Sequence, residues 1–244
     1  MHRLSFPAGP ACWLLDLSIE PPAGQLDMLS ESERLHVERL QFERDRRRYR
    51  AAHIGLRQLL AEQTGVAAPE LRFAHGPYGK PSLLPESAGR GCSFNLSHAD
   101  DIALVALAPS GDIGIDVEIL RPIPDAGLLA SRVFSLSEQR ELASTSPSTR
   151  SLAFLRGWTR KEACLKALGV GLDRGLGIAP ASFTSGLCEG ALTTSIRGPQ
   201  GDFVVEVRST MAGRNAVCAI GTLLQTSGAE LDHSQGGTSR FTTL

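Results

Sequence analysis

Residues 114–118 read Gly114-Ile115-Asp116-Val117-Glu118. Ile113, Ile115 and Val117 alternate with Gly114, Asp116 and Glu118, which is the period of a β-strand. Strand side chains repeat every second residue, so Asp116 and Glu118 share one face. Two carboxylates so placed stand about 7 Å apart and repel when both are ionised. A divalent cation between them removes the conflict. The donors are all oxygen, with no His or Cys beside them, which favours a hard ion such as Mg²⁺ over Zn²⁺. The alternative at this point is a solvent-exposed polar face on an edge strand.

Downstream, Ser135 and Glu138 fit a capping box that opens a short helix to about residue 143. A longer helix is expected over 151–168, with Phe154, Trp158, Leu165 and Leu168 on one apolar stripe. Glu162 and Lys166 are four apart at the edge of that stripe, where they form at least a helix-stabilising pair. Lys161 lies nearly in line with the stripe, which suits a helix bordering a charged cleft. Gly169 and Gly171 end the helix. Strands are expected over 181–187, 191–197, 203–209 and 215–223. The polar, Gly/Ser-rich stretch 226–244 is expected to be disordered.

Upstream, a strand is expected over 11–19. Ser30 and Glu33 form a second capping box, opening a helical region, broken once, that Gly65 stops. That region carries Arg39, Arg44, Arg46, Arg47, Arg48 and Arg50. Such a run is either a solvated basic face balanced by Glu38, Glu43 and Asp45, or a site for phosphate, which guanidinium groups suit. After a strand at 71–74, the turn His75-Gly76-Pro77-Tyr78-Gly79-Lys80-Pro81 presents Lys80. Residues 92–96 and 102–108 read as a hairpin whose turn exposes Ser97 and His98. Residues 109–112 are the junction between two halves.

A chain of 244 residues can bury a substantial core. Its net charge of −1 gives no electrostatic case for a nucleic-acid or membrane partner. Five scattered cysteines without a Cys-x-x-Cys point to reduced thiols and a cytoplasmic address. The apolar run 102–108 is too short to span a bilayer, and Pro7, Gly9 and Pro10 interrupt any signal-peptide pattern.

In order and spacing, four segments resemble the 4′-phosphopantetheinyl transferases, in their larger monomeric, surfactin-synthetase-activating class. They are Tyr78-Gly79-Lys80-Pro81, Phe94-Asn95-Leu96-Ser97-His98, Gly114-Ile115-Asp116-Val117-Glu118, and the run from Trp158 through Lys161-Glu162 to Lys166. The resemblance covers roughly residues 29–220. It implies an α+β fold, a pseudo-twofold monomer of two similar two-layer halves. Residues 1–111 would carry the adenine and 3′-phosphate side of coenzyme A. Residues 112–225 would carry the metal site and the Trp-x-x-Lys-Glu helix.

The same resemblance implies a Mg²⁺ site made of Asp116, Glu118 and Glu162. It implies coenzyme A contacts at Lys80, Ser97, His98, Lys161 and Lys166, with Arg48, then Arg39 and Arg34, for the 3′-phosphate. The implied activity is holo-[acyl-carrier-protein] synthase: a serine hydroxyl of an apo acyl or peptidyl carrier protein attacks the pantetheine-side phosphorus of coenzyme A and releases adenosine 3′,5′-bisphosphate. Mg²⁺ would neutralise charge on the pyrophosphate, and Lys166 and Lys80 would add to this. His98, if protonated, would hold a phosphate oxygen. Glu162, directly or through a metal-bound water, is the candidate base. Two rivals stand beside this reading. A metal-dependent nuclease is disfavoured by the charge balance and by Ile119-Leu120 after Glu118. A non-catalytic coenzyme A or carrier-binding module is disfavoured because every matched charged position is intact.

Overall fold

The computed structural model describes residues 1–6, 9–89, 91–170, 190–198 and 201–224. The strand expected over 181–187, Cys188 and the stretch 226–244 lie outside the described residues. The first half comprises β1 (His2–Leu4), β2 (Ala11–Asp16), α1 (Glu31–Arg39), α2 (Glu43–Thr64), β3 (Phe73–His75), β4 (Pro81–Leu83), α3 (Pro85–Ala88), β5 (Ser93–Ala99) and β6 (Ile102–Ala108). The second comprises β7 (Ile113–Ile119), α4 (Ala126–Val133), α5 (Leu136–Ser144), α6 (Arg150–Leu168), β8 (Gly190–Gly198), β9 (Gly201–Met211) and β10 (Ala216–Leu224).

Both capping boxes form: Ser30 with Glu33 and Ser135 with Glu138 each satisfy the first amides of their helix. The break between α1 and α2 falls at Leu40–Phe42, both in extended backbone, and Arg46 Nε covers the freed carbonyl of Leu40 at 2.8 Å. Gly65, at φ +78°, closes α2 with a bond to Ala61 O.

Two open antiparallel sheets result, in the orders β1-β2-β6-β5 and β7-β10-β9-β8, beside the small β3-β4 hairpin. The halves share a connection: a first strand (β2 or β7), a long helix, then a hairpin whose second strand (β6 or β10) returns beside the first. This is the α+β architecture of two similar two-layer units. They stack through their sheets. Leu104, Ala106, Ile113, Ile115, Cys218 and Ile220 fill the space between sheets. Ala103, Val105 and Leu107 face Leu56, Leu59 and Leu60 of α2. Val205, Val207 and Ala219 face Ala163 and Leu165 of α6. The order of layers is therefore α2, sheet, sheet, α6. β6 is buried on both faces, which is why its sequence is one apolar run rather than an alternation.

One local expectation is corrected. Ser97 and His98 are not in the hairpin turn; they are strand residues of β5, paired with Leu104 and Ala103. The turn is Asp100-Asp101, where Asp100 takes φ +49°. Asp tolerates the left-handed region better than most residues, and this lets the strand run three residues further than its apolar stretch.

Candidate active site

The two large sheets meet along β5 and β7, edge strands of different sheets. Asn95 joins them. Its buried side-chain Oδ1 accepts the backbone N–H of Ile115 at 2.8 Å, supplying a cross-seam bond that strand pairing would otherwise provide. Two residues on, Ser97 Oγ donates to Asp116 Oδ1 at 2.9 Å. From α6, Lys166 Nζ donates to the same Oδ1 at 2.7 Å and to Ser97 Oγ at 3.1 Å. The cleft over this cluster has a volume of about 560 Å³ and is lined by Ser97, His98, Asp116, Glu118, Arg121 and Lys166.

α6 comes close enough to deliver Lys166 and Glu162 because β7 and β10 carry glycines beneath it. A Cβ at Gly114 would run into Ala163 O and Ala167 N, and one at Gly221 would stand 2.9 Å from Ala163 O. The glycine that opens the Gly-Ile-Asp-Val-Glu stretch is thus a packing requirement of the helix above it.

The carboxylates sit in an unfavourable field. Burial raises the Asp116 pKa, against the opposing pull of Lys166 and Ser97. Burial, then the neighbouring Asp116, pushes Glu162 up to about 7, with Glu118 adding to the shift and Lys166 opposing it. Asp116 Oδ2 and Glu162 Oε1 are buried without a hydrogen-bond partner among the described residues. Glu118 is turned to a different cation, accepting from Arg121 at 2.7 Å. Among the described residues no three His, Cys, Asp or Glu side chains are gathered tightly enough to hold a metal as they stand. Lys166 holds one oxygen of Asp116 and Arg121 one of Glu118. The two orphaned carboxylate oxygens still fit an added hard cation, since buried unpaired carboxylate oxygens are costly.

The other expected contacts are divided. Lys80 is at the seam, but its ammonium donates to Asp112 Oδ1 at 2.9 Å and to Ala167 O at 2.8 Å, tying the turn to the end of α6. His98 lines the cleft. Burial, then the charges of Lys166, His53 and Arg48, holds its pKa below the ordinary value in the ligand-free chain. Arg48 Nε is 2.9 Å from Asp101 Oδ1, at the hairpin turn just past His98, and Arg47 joins the same oxygen at 3.1 Å. Arg34 Nε is committed to Leu29 O at 3.0 Å, and Arg39 is exposed on α1. Lys161 is not brought to the cleft. It is buried, with its ammonium on Val133 O at 2.8 Å and Glu138 Oε2 at 3.1 Å, and burial lowers its pKa against the pull of Glu138. An apolar-stripe lysine here marks a buried ion pair, not a cleft border.

A second cavity of about 410 Å³, lined by residues that include Glu33, His36, Tyr49, His53, Arg57 and Arg72, was not anticipated from the sequence. Tyr49 stacks on His53 at 3.9 Å and lies 4.6 Å from His36. Its sequence signal is Tyr49 and His53 four apart on α2, hidden within the arginine run. Leu96 of β5 lines both cavities.

The profile of the 4′-phosphopantetheinyl transferase superfamily matches residues 112–218, and that of the 4′-phosphopantetheinyl transferase N-terminal region matches residues 23–110. The chain belongs to the 4′-phosphopantetheinyl transferase superfamily. A protein of Synechocystis sp., provisionally named a 4′-phosphopantetheinyl transferase, is 36% identical over 167 residues, 68% of each chain. The 4′-phosphopantetheinyl transferase HetI of Nostoc sp. is 38% identical over 162 residues, 65% of this chain and 68% of its own. The 4′-phosphopantetheinyl transferase psf-1 of Bacillus pumilus is 31% identical over 192 residues, 78% of each. No described helix is long and apolar enough to cross a membrane.

Proposed function

We propose that the chain transfers the 4′-phosphopantetheine group of coenzyme A to a serine of an apo acyl or peptidyl carrier protein, with Mg²⁺, releasing adenosine 3′,5′-bisphosphate. The observation that carries this reading is the pair of buried carboxylate oxygens of Asp116 and Glu162 that have no hydrogen-bond partner among the described residues, in the field of the Lys166 ammonium, with Asp116 and Lys166 themselves lining an open cleft. Asp116, Glu162 and Glu118 would hold the ion; when bound, it would neutralise charge on the pyrophosphate oxygens. Two cavities sharing Leu96 suit a long, multiply anionic substrate. We assign residues 1–111 to its adenine and 3′-phosphate side and residues 112–225 to the reacting phosphates.

The protein's own groups then divide the work. Lys166 exchanges its bond to Asp116 for a departing phosphate oxygen, where its charge is worth most as the bisphosphate leaves. His98 donates one N–H to a phosphate oxygen. Arg48 is the arginine we assign to the 3′-phosphate, and it must loosen its hold on Asp101 to take that role. Glu162 is the candidate acceptor of the serine proton, by way of a water. The carrier docks on α4 and α5, where Leu128 and Leu136 are 61% and 71% exposed among the exposed Arg132 and Arg140, a surface suited to an acidic carrier. The protein acts as a monomer in the cytoplasm, consistent with its free thiols at Cys12, Cys92, Cys164 and Cys218.

The test is the intact mass of purified apo carrier after incubation with this protein, coenzyme A and Mg²⁺, with and without chelator. A gain of about 340 Da, one phosphopantetheine, abolished by chelator, is expected of metal-assisted transfer. No gain on fatty-acid, polyketide and peptide carriers, with coenzyme A still bound, overturns the enzyme in favour of a binding module.

A further inference from the structure

Lys161 is a cation that α6 turns away from the cleft. Its side chain is 2% exposed, and its ammonium sits where two other helices meet. Val133, whose carbonyl it binds, is the last residue of α4, so that oxygen has no partner within its own helix. Glu138, its other partner, is the third residue of α5, and the same Oε2 accepts the Ser135 N–H at 2.6 Å. One ammonium therefore closes the end of α4 and anchors the start of α5. Phe134, in the corner between them, lies with its ring 5.4 Å from Nζ and packs edge-on against Phe154 of α6 at 5.3 Å.

The next residue on α6 is Glu162, about 100° further around the helix at 3.6 residues per turn. Another face of α6 is already held, because Ala163 O approaches Gly114 and Gly221 of the sheet. With the sheet on one side and the α4–α5 corner on another, the helix has one permitted rotation. A shift that loosened the Lys161 bonds would swing the Glu162 carboxylate away from Asp116. A buried ion pair is a poor source of net stability compared with apolar side chains of similar volume, so its use at this corner calls for a role in specifying geometry.

We propose that Lys161 is a positioning residue that locks the α4–α5 corner to α6, fixing Glu162 beside Asp116 and the carrier-facing helices relative to it. This rests on the transfer reading above for its catalytic consequence only.

Two variants test it. Lys161→Met keeps the apolar stem and removes the ammonium from Glu138. Lys161→Met with Glu138→Gln removes both charges while leaving a residue that can still cap α5. Melting temperature, coenzyme A binding by calorimetry, kcat, both KM values and amide exchange over residues 126–144 are measured. The double variant is expected to melt within a few degrees of wild type and to exchange faster over 126–144. It should bind coenzyme A within about twofold of wild type yet lose kcat by about tenfold or more. Recovery of kcat together with the melting temperature would show a merely structural pair and overturn the proposal. So would a loss confined to coenzyme A affinity. If the wild type modifies no carrier, the transfer reading is lost and the lock is judged by exchange alone. Faster exchange over 126–144 in the double variant then upholds it, and unchanged protection overturns it.

Discussion

Lys166 Nζ stands 2.7 Å from Asp116 Oδ1, across 50 residues of sequence and between a helix and the strand beneath it. The same ammonium reaches Ser97 Oγ on the other sheet at 3.1 Å, so one side chain draws together α6, β7 and β5. In the free protein it pairs with a buried carboxylate; in the proposed transfer the same charge would be available to the leaving phosphates.

Replacing it separates these duties. Lys166→Met is expected to lower kcat by about a hundredfold, in the range seen when a stabilising donor is removed from a transition state. Coenzyme A affinity should fall much less. Steady-state kinetics with calorimetry of coenzyme A binding check this; a defect confined to affinity refutes the assignment.

Burial, then the neighbouring Asp116, pushes the Glu162 pKa up to about 7 in the protein without metal. In the proposed metal site, its proton must leave before Mg²⁺ could bind there. Mg²⁺ affinity is therefore expected to be constant well above pH 7 and to fall by about tenfold per unit below it. Proton release on adding Mg²⁺ at pH 6.5, read from calorimetry in buffers of different ionisation enthalpy, checks this. Glu162→Gln should abolish the release.

Asn95 holds the seam through one bond to Ile115 N–H. Asn95→Ala leaves that buried amide without an acceptor, a loss of about 1–3 kcal/mol. Ser97 and Asp116 then lose their alignment, so kcat should fall alongside the urea midpoint. Asn95→Asp, which keeps an acceptor, should retain more of the alignment at low pH, where it is uncharged, than at high pH.

Gly114→Ala drives a methyl group into the backbone of α6 at Ala163 and Ala167. Backbone cannot step aside as a side-chain tip can. The expected cost is about 3 kcal/mol, at the upper end for overpacking, or about 6–12 °C in melting temperature for a chain of this size. Thermal denaturation checks it, and a shift under 2 °C, set against that range, would show that the helix simply lifts.

Glu33 gives the chain an acid-sensitive anchor. Burial alone would raise its pKa, but hydrogen bonds from His53 and Ser30 and the charge of Arg57 outweigh it and hold the group at about 2. Arg57 Nε, itself buried, donates to it at 2.8 Å. A carboxylate depressed on folding stabilises fully above its unfolded value near 4.5. The contribution, on the order of 3 kcal/mol, is lost as pH falls through 2. Urea midpoints of wild type and Glu33→Gln should differ at pH 6 and converge toward pH 2.

The sequence alone determined much of this protein. The two capping boxes, the Gly65 stop, the paired carboxylates of β7 and the Glu162–Lys166 spacing on α6 all depend on side-chain periodicity and local backbone chemistry, which act over a few residues. Family membership is legible in the same way, from four short segments in fixed order. Tertiary structure decided the rest. Which lysine enters the cleft was not readable, because Lys161 and Lys166 differ only in which neighbour α6 meets on each side, and β7 and the α4–α5 corner are brought there by the stacking of the sheets. The roles of Asn95, Gly114 and Asp112 were hidden for the same reason. Each acts on a residue at least 20 positions away, through a buried bond or a backbone approach that exists only once the two halves have packed.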